Sequence, residues 1–167
     1  MKPVNLTTNP FSLLNDTWGL ISCGEKDKFN QMTISWGSMG ILWNKNIFNT
    51  YVRKSRYTYD FLQENETFTV TFFPEDYRKD LLYLGTVSGR DEDKLKNTSL
   101  HPLFLEDSIS YEEAELTFVC KKLYTSEIIL EQMPEEVKKQ FYEGETTHVL
   151  FCGEIISVYQ KNIKIYG

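Results

Sequence analysis

Met32-Thr33-Ile34-Ser35-Trp36 alternates apolar and hydroxyl side chains, placing Met32, Ile34 and Trp36 on one face of an extended chain and Thr33 and Ser35 on the other. Thr67-Phe68-Thr69-Val70-Thr71-Phe72 repeats the period, with Phe68, Val70 and Phe72 facing inward. A period of two is the pattern of half-buried strands, not helices. Residues 17–23, 47–53, 114–124 and 148–159 share the enrichment in β-branched and aromatic residues, so five or more strands are expected.

Helix signals are short and sit between these segments. Pro74 suits a first helical position, Glu75 and Asp76 place acids in the first turn, Tyr77, Leu81 and Leu84 follow at i, i+4 and i+7, and Gly85 ends the run. Pro134, Glu135, Glu136, Val137, Phe141 and Gly144 predict a second helix, and a third begins near Ser55, carries Tyr57, Phe61 and Leu62, and stops at Asn65. Strands and helices do not alternate regularly, which argues against a doubly wound parallel fold and for a β-barrel or sandwich with helical insertions.

The chain has 167 residues, 41% of them hydrophobic, and 18 Lys and Arg against 24 Asp and Glu give a net charge of −6. That length, with no repeat, linker or low-complexity tract, predicts a single domain over 1–167. The acidic balance argues against a nucleic-acid partner, and apolar runs broken by charge, Gly or Asn argue against a membrane partner. Met1-Lys2-Pro3-Val4-Asn5-Leu6 has no apolar leader, so a cytoplasmic location is expected. Cys23, Cys120 and Cys152 are odd in number and widely spaced in apolar segments, predicting buried free thiols, with an approach of Cys120 and Cys152 across a sheet as the alternative. With His101 and His148 the only histidines, no metal-ligand spacing exists and no metal is expected.

The sequence offers no hydrolase triad, P-loop, HExxH or GxGxxG, and no catalytic side chain is assigned. Three segments stand out instead. Asn30, Met32, Thr33, Ser35, Trp36 and Gly37, followed by Ser38 and Gly40, are small or polar enough for a flat ligand to approach the backbone, or else form an ordinary strand and turn. Arg53-Lys54-Ser55-Arg56-Tyr57-Thr58 sets three cations and two hydroxyls of Ser and Thr where a strand enters a helix, which suits a monophosphate, although the residues alone favour the commoner serine N-cap with solvated cations. Ser88-Gly89-Arg90-Asp91-Glu92-Asp93-Lys94 reads either as a capping-box turn or as a second phosphate-facing turn using Ser88, Gly89 and Arg90 or Lys94. His148 opens a strand and is read as structural.

Taken together and in order, these motifs resemble the flavin reductase-like family, in particular its flavoredoxin-like branch. The resemblance rests on Asn30-x-Met32-Thr33-x-Ser35-Trp36-Gly37, Leu42-Trp43-Asn44-Lys45, Val52-Arg53-x-Ser55-Arg56-Tyr57-Thr58, Phe72-Phe73-Pro74-Glu75 with Tyr77-Arg78, and Ser88-Gly89-Arg90-Asp91-x-Asp93-Lys94, and it spans residues 15–160. Lys54, Ser55 and the Ser38-Met39 pair depart from the commonest family pattern, the last where a glycine-rich turn is usual.

The resemblance implies a mainly β fold, an antiparallel Greek-key split barrel with short peripheral α-helices, assembled as a homodimer around FMN. It implies that Asn30, Met32, Thr33, Ser35 and Trp36 line the isoalloxazine and ribityl chain, that Arg53, Ser55, Arg56 and Thr58 meet the phosphate, and that Ser88, Gly89, Arg90 and Lys94 complete that side. The implied activity is that of an FMN-dependent oxidoreductase, NAD(P)H:flavin reductase-like, passing electrons from NAD(P)H or a protein donor to a flavin, a ferric chelate or a redox partner. A reading of a different class keeps the barrel as a non-enzymatic binding module for flavin, haem or no cofactor; a haem role asks for His or Cys at an axial position.

Overall fold

The computed structural model describes residues 7–106 and 108–167. The expectation drawn from residues 1–6 about a leader falls on a stretch outside the described residues. Pro10–Ser12 forms α1, capped by the Asn9 side chain on the Phe11 amide and continued by a wider turn over Leu13–Thr17. Then follow β1 (Gly19–Glu25), β2 (Lys28–Ile34), β3 (Gly37–Leu42), β4 (Lys45–Arg53), α2 (Tyr57–Glu64), β5 (Thr67–Phe72) and α3 (Arg78–Thr86). The chain continues through β6 (Pro102–Leu105), β7 (Ser108–Tyr111), β8 (Leu116–Glu127), α4 (Glu135–Tyr142), β9 (His148–Gln160) and β10 (Ile163–Tyr166).

Among the described residues, one antiparallel sheet runs β2-β1-β5-β8-β9-β4-β3 with β10 added to β9, and β6 and β7 form a separate hairpin. Adjacent residues on β1 serve two apolar layers, as the strand pleat requires. Ile21 packs with Phe48, Val70, Phe72, Phe118 and Phe151 on one face. Leu20 packs with Phe73, Leu81, Leu84, Ile109 and Tyr111 under α3 and β7 on the other. Each of these fully buried large side chains contributes about 1.5–3 kcal/mol by leaving water.

This second layer explains one departure from expectation. Thr69 and Thr71 were expected on a solvent face, yet both are buried. Thr71 Oγ1 lies 3.3 Å from Thr117 Oγ1, which lies 2.9 Å from Ser110 Oγ on β7, so these hydroxyls answer one another beneath the hairpin, whereas Thr69 Oγ1 has no hydrogen-bond partner among the described residues. In the same way β2 ends at Ile34, so Trp36 lies beyond the strand and is 40% exposed, not inward-facing like Ile34.

Residues 37–42 are a strand and not a turn: Ser38 and Met39 lie in β3, paired with Asn49 and Phe48 of β4. A Cβ on Gly37 would lie 2.7 Å from the Asn49 carbonyl oxygen, so this glycine serves the approach of two strands. The β3–β4 turn places Trp43 and Asn44 at φ 50 and 56, the two left-handed positions of a tight hairpin turn. Cys120 faces Ile155 across the sheet while Cys152 faces Tyr124, and all three cysteines are free and buried. No helix among the described residues is long and apolar enough to cross a membrane.

Candidate functional site

Two clefts of about 160 Å³ each open beside β2, and Met32 and Arg56 border both. The first is polar. Asn30 and Met32 come from β2, Ser55, Arg56, Tyr57 and Thr58 from the entry to α2, and Leu84, Thr86, Val87, Ser88, Gly89 and Lys94 from the end of α3 and the loop beyond it. The second holds Met32, Thr33, Ile34, Ser35 and Trp36 together with Tyr51, Arg53 and Arg56, and His148 at the start of β9. Arg53, Arg56 and Lys94 line these clefts and no carboxylate does, in a chain whose net charge is −6.

In the polar cleft, local backbone geometry does much of the positioning. Arg56, not Ser55, is the residue before α2; its backbone is extended and no side chain caps the helix, and while the Tyr59 amide donates to the Arg56 carbonyl at 3.0 Å, the Tyr57 and Thr58 amides are left for an anion. The Asn30 amide donates to Thr58 Oγ1 at 2.7 Å, tying β2 to that turn. Asn30 Oδ1 lies only 2.1 Å from where a Cβ on Gly89 would be, so any other residue would displace either Asn30 or the loop. The Ser88 hydroxyl accepts from the Arg90 amide at 3.2 Å and its carbonyl accepts from the Asp91 amide at 3.2 Å, a local turn and not a helix cap.

Two of the basic residues are committed to protein carbonyls yet remain on the lining. Lys94 is buried and donates to the carbonyls of Leu84 at 3.1 Å and Gln31 at 2.5 Å. Burial, and then the Arg56 charge, pull its ammonium down to about 8. Arg56 donates to the Gly85 carbonyl at 3.3 Å. Arg90 is absent from the lining: its guanidinium pairs with Asp60 at 2.7 Å, donates to the Ser55 carbonyl at 3.1 Å and stacks over Tyr57, fastening the loop to α2.

The second cleft is aromatic. The Trp36 ring centroid lies 4.9 Å from that of His148 and 5.3 Å from that of Phe141. His148 Nδ1 is hydrogen-bonded to Tyr142 Oη at 3.1 Å. Burial, reinforced by the charges of Arg53 and Arg56, holds the imidazole down at about 4, so it is neutral at pH 7. Thr33 turns its hydroxyl away from the cleft, to the Leu81 carbonyl at 2.5 Å.

Of the thirteen residues expected at the site, eight line the polar cleft and four more, Thr33, Ser35, Trp36 and Arg53, line the aromatic one; Arg90 lines neither. Arg53 was expected beside Ser55 and Arg56, but it does not line the polar cleft. Tyr51 and His148 were not among those thirteen. The signal for Tyr51 was available, since it lies two positions before Arg53 on one strand face; His148 is brought in by the β4–β9 register that sets it opposite Arg53. Among the described residues, His101, Glu112 and Glu113 also group their ligand atoms within 4.8 Å, outside both clefts, where His101 and Glu113 form an ion pair at 2.6 Å.

A cationic pocket with the Tyr57 and Thr58 amides open, beside an aromatic slot, has the chemistry that a flat ring carrying one phosphate requires. The Gly89 cradle favours the same ligand, because it brings loop backbone within reach of small oxyanions.

The family model of the flavin reductase like domain matches residues 12–165. The fold is similar to that of a flavoredoxin from Methanosarcina acetivorans, with 24% identity, coverage of 96% of this chain and 76% of that one, and a TM-score of 0.66. It is also similar to an FMN-binding protein from Thermus thermophilus with bound p-hydroxybenzaldehyde (16% identity, 96% and 82% covered, TM-score 0.66). A third likeness is to the styrene monooxygenase flavin reductase from Pseudomonas putida S12 (12% identity, 89% and 81% covered, TM-score 0.64). These likenesses place the sheet and its short helices in the split-barrel class. No curated protein matches the sequence.

Proposed function

We propose, from the premise that this chain belongs to the flavin reductase like domain family, that it is an FMN-dependent oxidoreductase or electron carrier fed by NAD(P)H or a protein donor. The observation that carries this reading is the pair of clefts sharing Met32 and Arg56, with three cations and no carboxylate on their linings. FMN, when bound, supplies hydride and one-electron chemistry that the side chains here lack.

The residues have binding and tuning roles. Arg56, Lys94, Ser55, Ser88 and the Tyr57 and Thr58 amides at the start of α2 hold the phosphate, and Gly89 lets Asn30 and the loop backbone close over it. Met32, Thr33, Ser35, Trp36 and Tyr51 bound the ring-side space. His148, neutral at pH 7, places an uncharged polar edge there. Trp36 also borders a wider groove of about 880 Å³ with Phe11, Leu14 and Met39, and the proposal assigns this face to a second copy of the chain in a homodimer. The three free thiols support a cytoplasmic setting.

Anaerobic titration of the flavin-loaded protein with NADH and NADPH tests the donor. Bleaching of the oxidised flavin bands by either nucleotide supports the reductase reading and names the donor. Bound flavin that neither nucleotide bleaches assigns the electron supply to a protein donor, and a protein that holds no flavin overturns both.

A further inference from the structure

Arg53 closes β4 directly opposite His148, and its guanidinium reaches neither Ser55 nor the polar cleft. One arm donates to the Phe141 carbonyl at 2.8 Å, the other donates to the Thr146 carbonyl, and Glu145 stands 3.8 Å away. The group also lies over the Tyr142 ring, 5.4 Å from its centroid, and the side chain is only 18% exposed. Every one of these partners belongs to α4 or the turn that follows it.

Besides Arg53, the segment is held by the Phe141 ring on Trp36, the Tyr142 hydroxyl on His148 and a long Thr146–Ser55 hydrogen bond of 3.4 Å. Tyr142 is the only buried residue in the eight-residue helix, and a helix this short does not persist in water without tertiary anchors. The carbonyls at its C-terminal end lack intrahelical partners, and a cation there also meets the negative end of the helix dipole. A guanidinium supplies two diverging donors to two carbonyls at once, which a lysine ammonium does not do in that planar fork.

The same segment forms the wall of the aromatic cleft. Phe141 sets its ring against Trp36 and Tyr142 sets its hydroxyl on His148, and Trp36 and His148 both line the cleft. We infer that Arg53 is a positioning residue: it latches α4 to the barrel and thereby fixes the Trp36–His148 wall, while the phosphate is held without it. The latch stands on the contacts of the chain itself, and only its consequence for flavin rests on the reading above.

The test compares Arg53→Met, Arg53→Lys and Arg56→Met by amide hydrogen exchange over residues 135–147, by affinity for FMN and riboflavin, and by the visible spectrum of bound flavin. In Arg53→Met, exchange across α4 is expected to accelerate at least tenfold and the flavin bands to shift, while the FMN-over-riboflavin preference stays within about twofold of the parent. Arg53→Lys is expected to restore neither the exchange nor the spectrum, although it keeps the charge. Arg56→Met is expected to lose the FMN preference with α4 exchange unchanged. Unchanged α4 exchange in Arg53→Met, or loss of its FMN preference with rescue by lysine, overturns the latch and returns Arg53 to the phosphate. If no variant and no parent protein binds flavin, the functional reading fails, and the exchange comparison still decides the latch.

Discussion

Asn30 and Gly89 meet so closely that the side-chain oxygen of one occupies the space where the other would carry a Cβ, 2.1 Å from Oδ1. This contact joins β2 to the loop after α3, and the Asn30 amide extends it to Thr58 at the start of α2. Three segments far apart in sequence are thereby fixed around one polar cleft.

Gly89→Ala is therefore expected to displace Asn30 or the loop and to weaken FMN binding at least tenfold, in line with about 1 kcal/mol for the lost Asn30–Thr58 bond plus the misplaced backbone donors. The melting temperature is expected to fall by only about 2–4 °C, the equivalent of that one buried hydrogen bond. Flavin fluorescence quenching read beside a thermal melt separates the two effects. Parent-like FMN affinity would remove Gly89 from the site.

Arg56→Met is expected to lower FMN affinity on the order of 10- to 100-fold, the equivalent of one charge-assisted contact of about 1.5–3 kcal/mol. Riboflavin, which lacks the phosphate, is expected to bind parent and variant alike. Isothermal titration of both ligands checks this, and equal losses for the two would show that Arg56 does not read the phosphate.

Much of this was legible before any coordinates. The alternation in residues 67–72 announced β5, and the stop at Asn65 announced the end of α2, although the helix starts at Tyr57 without the serine cap that Ser55 offered; strand pleat and helix termination are local properties. The hairpin β6–β7, by contrast, has short strands of mixed exposure, and its cover over Thr71 and Thr117 is a tertiary fact with no local signal. The same division runs through the site. Asn30, Arg56 and Gly89 are where their residue types suggested, but the direction of the Arg53 guanidinium depends on carbonyls some 90 residues away in sequence, and no spacing rule contains that.

Lys94 gives opposite pH trends for binding and for stability. Its ammonium is held at about 8, below its ordinary 10.5, so the charge facing the cleft is lost as pH rises from 7 to 9 and FMN affinity is expected to fall. The unfolded chain keeps that proton up to about 10.5, so between 8 and 10.5 it binds more protons than the fold, and the ligand-free protein gains stability as pH rises. Lys94→Met is expected to flatten both slopes. Binding and urea denaturation at pH 7, 8 and 9 measure them, and a parent slope surviving in the variant assigns the titration to another group.

His148 gives an acid limb. Its imidazole is held near 4 against an ordinary 6.5, so between those values the unfolded chain takes up a proton that the fold does not. Stability is expected to fall as pH drops from 6.5 to 4. His148→Gln is expected to lose less between pH 7 and 5 than the parent does; identical shifts in urea midpoint would place the acid sensitivity elsewhere.

Tyr111→Phe separates the fold from the site. The Tyr111 hydroxyl and Ser22 Oγ are 2.8 Å apart and fully buried, and removing one leaves the other unpaired at a cost of about 1–3 kcal/mol. A lower melting temperature with unchanged FMN affinity is the expected pair of results, and a loss of affinity would couple the second apolar layer to the cleft.

The most direct measurement is the flavin content of the purified protein after incubation with FMN and removal of the excess by desalting, with Arg56→Met treated in parallel. Joined phosphate and ring clefts predict about one flavin retained per chain by the parent and little by the variant. A colourless parent protein, or parent and variant retaining flavin equally, would contradict the assignment of these clefts to FMN.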